Sequence, residues 1–297
     1  MRCSHLARYG YKDRYVFFLN DLVERQTEEK PHTYIIEANG IIFCHTGKMQ
    51  VLVEGTEYTM EPEDVLLVRD AESHAITILE YPCEYSKAYF SLHYFYVFDP
   101  QYRMIRPFAD RPLGVNNLIQ GSRINSELLR TCFQSIVKVS DVYMRRIAVM
   151  GALTMALSEI NRVYDPAAVA TCDTRPELTR KIIQQINERF TGHLDPDEIA
   201  ASLYISRSQF DRIIKQATGV TLWNYVTTKR LIHARHLLHE GVMIKEAAAR
   251  SGFSDYSTFY KAYIKWNDTP PKIERPNDES DPMLRHFYQP DDSSMMF

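Results

Sequence analysis

Between residues 33 and 95 apolar residues come in short runs or alternate with polar ones. From 123 to 164, and again from 177 to about 264, they recur every three or four positions. The first pattern predicts strands and the second amphipathic helices. In MQVLVEG, Met49, Val51 and Val53 share one side, as in a half-buried strand. Asn39-Gly40, Thr46-Gly47, Glu54-Gly55 and Pro62 read as turn signals between strands. TYIIEA, GIIFCH, KMQVLVE, TEYTM, DVLLVRD, HAITILE and SKAYFSLHYF then supply about seven strands, the pattern of an antiparallel sandwich or barrel.

Two helical runs follow. Leu129, Cys132 or Phe133, Ile136, Val137, Tyr143, Met144 and Ile147 form the first, and Met150, Leu153, Leu157, Ile160 and Tyr164 the second. They predict a helical hairpin that either packs on the strands or forms a dimer interface. DPAAVATCDTRP, residues 165–176, has no periodicity and reads as a linker. The stretch 276–297 is acidic and interrupted by proline, the composition of a disordered tail.

The segment 177–275 contains one unit twice. In the first, Asp195 can cap a helix over roughly 196–202, with Pro196 at its first position and Glu198 three residues after the cap. Ser206 can cap a second helix, roughly 207–217, which Gly219 stops. Phe210, Ile213 and Ile214 are its inner residues; Arg207, Ser208, Asp211, Arg212 and Lys215 are its outer ones. In the second unit Ala247 and Ala248 lie inside a short helix, Gly252 makes the turn, and Ser254 can cap the next helix. There Phe259 and Tyr263 point inward, with Tyr256, Ser257, Thr258, Tyr260 and Lys261 toward the opposite side. Small residues let two helices cross closely, as a helix-turn-helix requires. Between the units, 221–238 reads as one long helix with Leu222, Tyr225, Leu231, Ala234, Leu237 and Leu238 along one side.

Charge sharpens this division. The chain of 297 residues has a net charge of −3, but residues 175–275 carry 16 Lys+Arg against 11 Asp+Glu, a net +5. The flanking segments 1–174 and 276–297 each carry −4. A basic segment between acidic ones is the electrostatic footprint of a surface that meets phosphates. Five scattered cysteines with no CxxC argue against a disulfide framework and a thiolate zinc site, and fit a reducing cytoplasm. No apolar run is long enough to span a bilayer, and the N-terminus lacks a secretory core, so no membrane partner is expected.

Two helix-turn-helix units joined by YVTTKRLIHARHLLHEG, then GFSDYSTF and a final TPP with Arg275, resemble the arabinose-regulator (AraC/XylS) family of bacterial transcription factors. Ile199-Ala200, Ser206, Lys215, Gly219, Arg230, Ala234, Leu237-Leu238, Gly252-Phe253, Ser257, Phe259 and Pro271 carry the match. Three places depart from it. Ile214-Lys215 and Tyr263-Ile264 replace the family's Phe-Lys, and Asp268 stands where the family has Gly. The resemblance implies two recognition helices entering successive major grooves, about 34 Å apart. Ser208, Asp211, Arg212, Tyr256, Ser257, Thr258, Tyr260 and Lys261 are candidates for base contact; Arg207 and Lys215 for phosphate.

The same resemblance implies a cupin-like N-terminal barrel that binds a small effector, with Glu63 in place of the usual Gly before Asp64. The expected fold class is therefore α+β. A sensing domain spans 1–122, helices with a possible dimerising role 123–164, a linker 165–176, the double helix-turn-helix domain 177–275 and a tail 276–297. A sugar or related metabolite wants aromatic faces and convergent polar groups. His32, Tyr34, His45, Arg69, His74, Tyr81 and His93 are the candidates. The rival reading is a metal-dependent cupin enzyme with an accessory helical domain. It lacks the usual HxH pair, since Gly47 stands two residues after His45. No catalytic residue, metal or cofactor is expected, and neither GxSxG nor a glycine-rich phosphate loop occurs. The expected partners are promoter double-stranded DNA, the effector, a second copy of the chain and RNA polymerase.

Overall fold

The computed structural model describes residues 6–12, 16–25, 33–91, 99, 101–138, 142–165 and 175–273. The chain divides into two compact units, one of residues 1–34 and 38–174, the other of 35–37 and 175–297. The class is α+β: antiparallel strands with helices in the first unit, helices in the second.

Among the described residues eight strands form one antiparallel sheet: β1 (Leu6–Lys12), β2 (Val16–Val23), β3 (Thr33–Ile35), β4 (Asn39–Val53), β5 (Thr56–Met60), β6 (Val65–Val68), β7 (Ser73–Phe90) and β8 (Leu118–Ile119). The hydrogen-bonded order is β1-β2-β7-β4-β6-β8, with β3 on β7 and β5 on β4. β4 joins two of the expected strands, and β7 joins HAITILE to the start of SKAYFSLHYF. Thr46-Gly47 is not a turn. It is a bulge within β4, where the register on β7 shifts between Cys44 and Met49. Glu54-Gly55 is a true turn, with φ of 47° and 85° at the tip of the β4–β5 hairpin.

The bulge changes parity. Before it Ile42 and Cys44 face one side of the sheet; after it Met49, Val51 and Val53 face that same side, packed with Met60, Leu66, Val68, Cys83 and Tyr85. Phe18, Ile41, Phe43, Val65, Ala88 and Phe90 face the other side. There they meet Leu129, Cys132, Phe133 and Ile136 of α2 (Ser126–Lys138) and Val149, Leu153, Leu157 and Ile160 of α3 (Val142–Val163). Tyr143, Met144 and Ile147 belong to α3, not to the preceding helix as the spacing predicted. Met144, Ile147, Met150 and Met155 are exposed on it.

A buried ion pair pins the stretch that follows α1 (Arg106–Ala109) to the sheet. Both nitrogens at the end of Arg111 donate to Glu72 at 2.7 Å, and Gly114 N and Asn117 Nδ2 complete the carboxylate. Burial pushes the Glu72 pKa up, but Arg111 and the backbone N–H groups of Arg69 and Gly114 bring it below the ordinary value.

The second unit contains α4 (Glu177–Arg189), α5 (Pro196–Ser202), α6 (Arg207–Thr218), α7 (Leu222–His239), α8 (Ile244–Arg250) and α9 (Tyr256–Asn267). Asp195 caps α5, accepting from Asp197 N and Glu198 N, and Ser206 caps α6, accepting from Gln209 N. Gly219 ends α6 at φ 75°. Ser254 is not the cap of α9: Asp255 is, accepting from Thr258 N at 2.8 Å. Among the described residues no helix is long and apolar enough to cross a membrane.

Candidate DNA interface and candidate ligand face

α5–α6 and α8–α9 are two helix-turn-helix units, and each second helix buries an aromatic anchor. Phe210 of α6 packs with Ile199, Ala200 and Tyr225. Phe259 of α9 packs with Ala247, Ala248, Leu237 and Tyr263. α7 contributes to both clusters through Tyr225 and Val226 near one end and Leu231 to Leu238 toward the other. The joint is tight. Arg230 of α7 donates to the carbonyls of Phe190 and Gly192. Gly252, at φ 86°, leaves no room for a Cβ, which would lie 2.8 Å from Thr191 O and 2.9 Å from Arg230 Nε.

Burying one side of each helix leaves the other to solvent. On α6, Ser208, Asp211, Arg212 and Lys215 are exposed and Arg207 is half-buried. Arg207 is engaged at 3.1 Å with Asp197 and 3.0 Å with Asp211, so Asp211 is neutralised by a neighbour on its own helix. Arg212 and Lys215 make no ion pair among the described residues, which leaves their charge available to an anion. On α9, Tyr256, Ser257, Thr258 and Lys261 are exposed and Tyr260 is half-buried. Tyr256 and Tyr260 lie side by side, ring centroids 5.8 Å apart. The Thr258 hydroxyl is already spent, donating to Asp255 Oδ2 at 2.7 Å.

Asp268 takes the place of the expected glycine and also its backbone, a left-handed φ of 55° that ends α9. Glu63 does the same at φ 75° in the β5–β6 turn. The turn between α5 and α6 carries Tyr204, 97% exposed at φ 56°. No periodicity marks it, because its neighbours in sequence are core residues.

The sheet of the first unit holds a second cluster, on the face away from α2 and α3. His74 Nε2 accepts from the Tyr89 hydroxyl at 2.7 Å while Nδ1 donates to Glu72 O at 3.4 Å. Burial lowers its pKa to about 4, so the ring is neutral at pH 7. Tyr34 stacks on it, centroids 5.6 Å apart. Lys87 Nζ lies 5.7 Å from the centre of the Tyr34 ring and 5.3 Å from that of Tyr85, and pairs with buried Asp21 at 3.0 Å. A cation, a carboxylate, two aromatic faces and a neutral imidazole are together the donors, acceptors and apolar surfaces that a polyol or small acid needs.

Of the ligand candidates, Tyr34 and His74 are in this cluster. His45 is on the opposite face, edge-on to Phe43 and 2.7 Å from Ser86 Oγ, its pKa lowered to about 4 by burial and by Arg130. Arg69 instead donates to Arg111 O, and Tyr81 is exposed on β7. His32 and His93 lie outside the described residues. Asp21, Tyr85, Lys87 and Tyr89 were missed. Only the register β2–β7–β4, with Asp21 opposite Tyr85 and Leu19 opposite Lys87, brings them to one face. His45 and His74 project to opposite sides and so do not converge on one ion. Among the described residues one group of three has metal-ligand spacing: His193, Asp195 and Glu198. Asp195 there is occupied as the cap of α5.

A helix-turn-helix domain family matches residues 199–275. The chain is 32% identical over 90 residues to the HTH-type transcriptional activator RhaS of Escherichia coli O139:H28, 29% of this chain and 32% of that one. Residues 199–275 thus form a helix-turn-helix domain. RhaS of Escherichia coli SE11 matches at 31% identity over 90 residues, again 29% of this chain and 32% of that protein. The chain thus spans about a third of the length of the curated relatives it matches. Among solved structures, fatty-acid-bound ToxT from Vibrio cholerae is 15% identical with a TM-score of 0.38, covering 88% of this chain and 95% of its own. The AraC-like transcriptional activator CuxR is 13% identical with a TM-score of 0.36, covering 82% and 84%.

Proposed function

We propose that this protein is a sequence-specific, DNA-binding transcription regulator whose activity responds to a small molecule held by the N-terminal sheet. The observation that carries the reading is the pair α6 and α9, each anchored by one buried phenylalanine and each turning exposed basic and hydroxyl side chains outward. Such helices place side chains from their first turns against base edges while flanking cations meet phosphates. Arg212 and Lys261 are the principal readers; Lys215 contacts phosphate. Arg207 orders α6 through Asp197 and Asp211 and meets phosphate from there. Asp211, Ser208, Tyr256, Ser257 and Tyr260 complete the surface, while Thr258 serves mainly to hold the cap.

The effector site in this reading is the face carrying Tyr34, His74, Lys87 and Asp21, and its ligand is a sugar or small organic acid. The protein acts in the cytoplasm as a homodimer, through the apolar side of α3 formed by Met144, Ile147 and Met155. It has no catalytic role, and RNA polymerase is a further partner. A ligand controls such a protein only by favouring one of two states. Titration of the full chain with promoter duplexes, with and without candidate sugars and acids, tests the proposal. Salt-sensitive, sequence-preferring binding is expected. Binding of equal strength to all sequences would overturn it.

A further inference from the structure

Cys44 on β4 and Cys83 on β7 are both fully buried in the same apolar cluster, on the face away from the helices. Cys44 is in register with Tyr85, two residues from Cys83 on one side of the strand. The β4 bulge brings the backbones together here. A Cβ on Gly47 would lie 2.8 Å from Cys83 Cα, so the approach depends on glycine at that position. At this close approach Cys44 Sγ lies 3.6 Å from Thr46 O and 3.8 Å from Gly47 O. The neighbouring Cys83 thiol and burial raise the Cys44 pKa, while Cys44 lowers that of Cys83. Thr46 and Pro82, close to the pair in sequence, are exposed. Cys132 differs: it is buried on α2, and burial alone raises its pKa.

We propose that Cys44 and Cys83 are a peroxide-oxidised pair that closes to an intramolecular disulfide between β4 and β7. Paired thiols in a reducing compartment serve as transient redox centres rather than as structural staples. The Cys83 thiolate attacks one oxygen of hydrogen peroxide, the O–O bond breaks, and hydroxide leaves with Cys83 as the sulfenic acid. Cys44 sulfur then attacks the Cys83 sulfur, the S–O bond breaks, and water leaves with the Cys44 proton. Two thiols lose two electrons and two protons, and one peroxide becomes two waters.

The test is peptide mapping of the full chain after brief exposure to hydrogen peroxide, with remaining thiols alkylated under denaturing conditions. The expected result is a peptide joining Cys44 to Cys83, reversed by dithiothreitol, with Cys132 still alkylated. In Cys44→Ser, Cys83 is trapped by dimedone and no disulfide forms; in Cys83→Ser, Cys44 stays reduced. Full alkylation of Cys44 and Cys83 at peroxide levels that oxidise other thiols overturns the proposal, as does a cross-link elsewhere. The wild-type map alone decides it if either variant fails to fold.

Discussion

His74 gives a prediction whose size follows from its surroundings. Burial takes its pKa from 6.5 to about 4, and the ring is held neutral between Glu72 O and the Tyr89 hydroxyl. A lowered folded-state pKa means that the unfolded chain binds the proton more tightly. The stabilisation is therefore full above pH 6.5 and is lost as pH falls toward 4. Two and a half pKa units are worth about 3.4 kcal/mol in total, of which about 2 kcal/mol is gone at pH 5. His45 titrates over the same window, also to about 4, so the two together remove about 4 kcal/mol between pH 7.5 and 5. Glu72, held below the ordinary carboxylate range, stays ionised through that window. The perturbation is His74→Gln, which keeps a donor and an acceptor but cannot be protonated. The assay is urea denaturation at pH 7.5, 6 and 5 followed by circular dichroism. Fluorescence of Trp223 and Trp266 tracks the other unit separately. The variant should lose about 2 kcal/mol over this range where the wild type loses about 4. A His74→Gln chain that keeps the whole wild-type acid sensitivity would show that His74 does not carry this pH dependence.

Arg212→Ala should weaken binding to the preferred duplex by about 1–3 kcal/mol and relax its sequence preference, measured by fluorescence anisotropy at moderate salt. Gly252→Ala should lower the melting temperature of the helical unit, because its Cβ meets Thr191 O in a backbone region that costs an alanine about 1–2 kcal/mol. Asp268→Gly should raise that temperature, since it relieves a left-handed non-glycine residue at the end of α9. Ile147→Glu should shift the full chain toward monomer in analytical ultracentrifugation without changing its circular dichroism.

The helical half was legible because its signals are local. Asp195, Ser206 and Gly219 act within one turn of where they stand, and the expected α5 and α6 agree with the observed ones to within a residue. The miss at Ser254 is of the same kind: Asp255, one residue on, has the better acceptor for two donors of Thr258. The sheet was less legible because its faces depend on pairing. β2 is buried along nearly its whole length, so VFFLNDLV shows no alternation. The bulges in β4 and β7 shift parity mid-strand, which no reading of alternation alone anticipates. His45 and Lys87 illustrate the cost. The first was expected beside a ligand and lies under α2; the second was overlooked and stands at the centre of the cluster. Where glycine was expected, Glu63 and Asp268 show that the left-handed backbone was retained while the residue changed.

In the proposed function α6 and α9 enter two adjacent major grooves. Enrichment of a random-sequence duplex pool on the full-length protein tests it most directly. The selected motif should have two blocks centred about 10 base pairs apart. Arg212→Ala should erase preference in one block and Lys261→Ala in the other. A pool that emerges without a motif, or with one block insensitive to both substitutions, would contradict it.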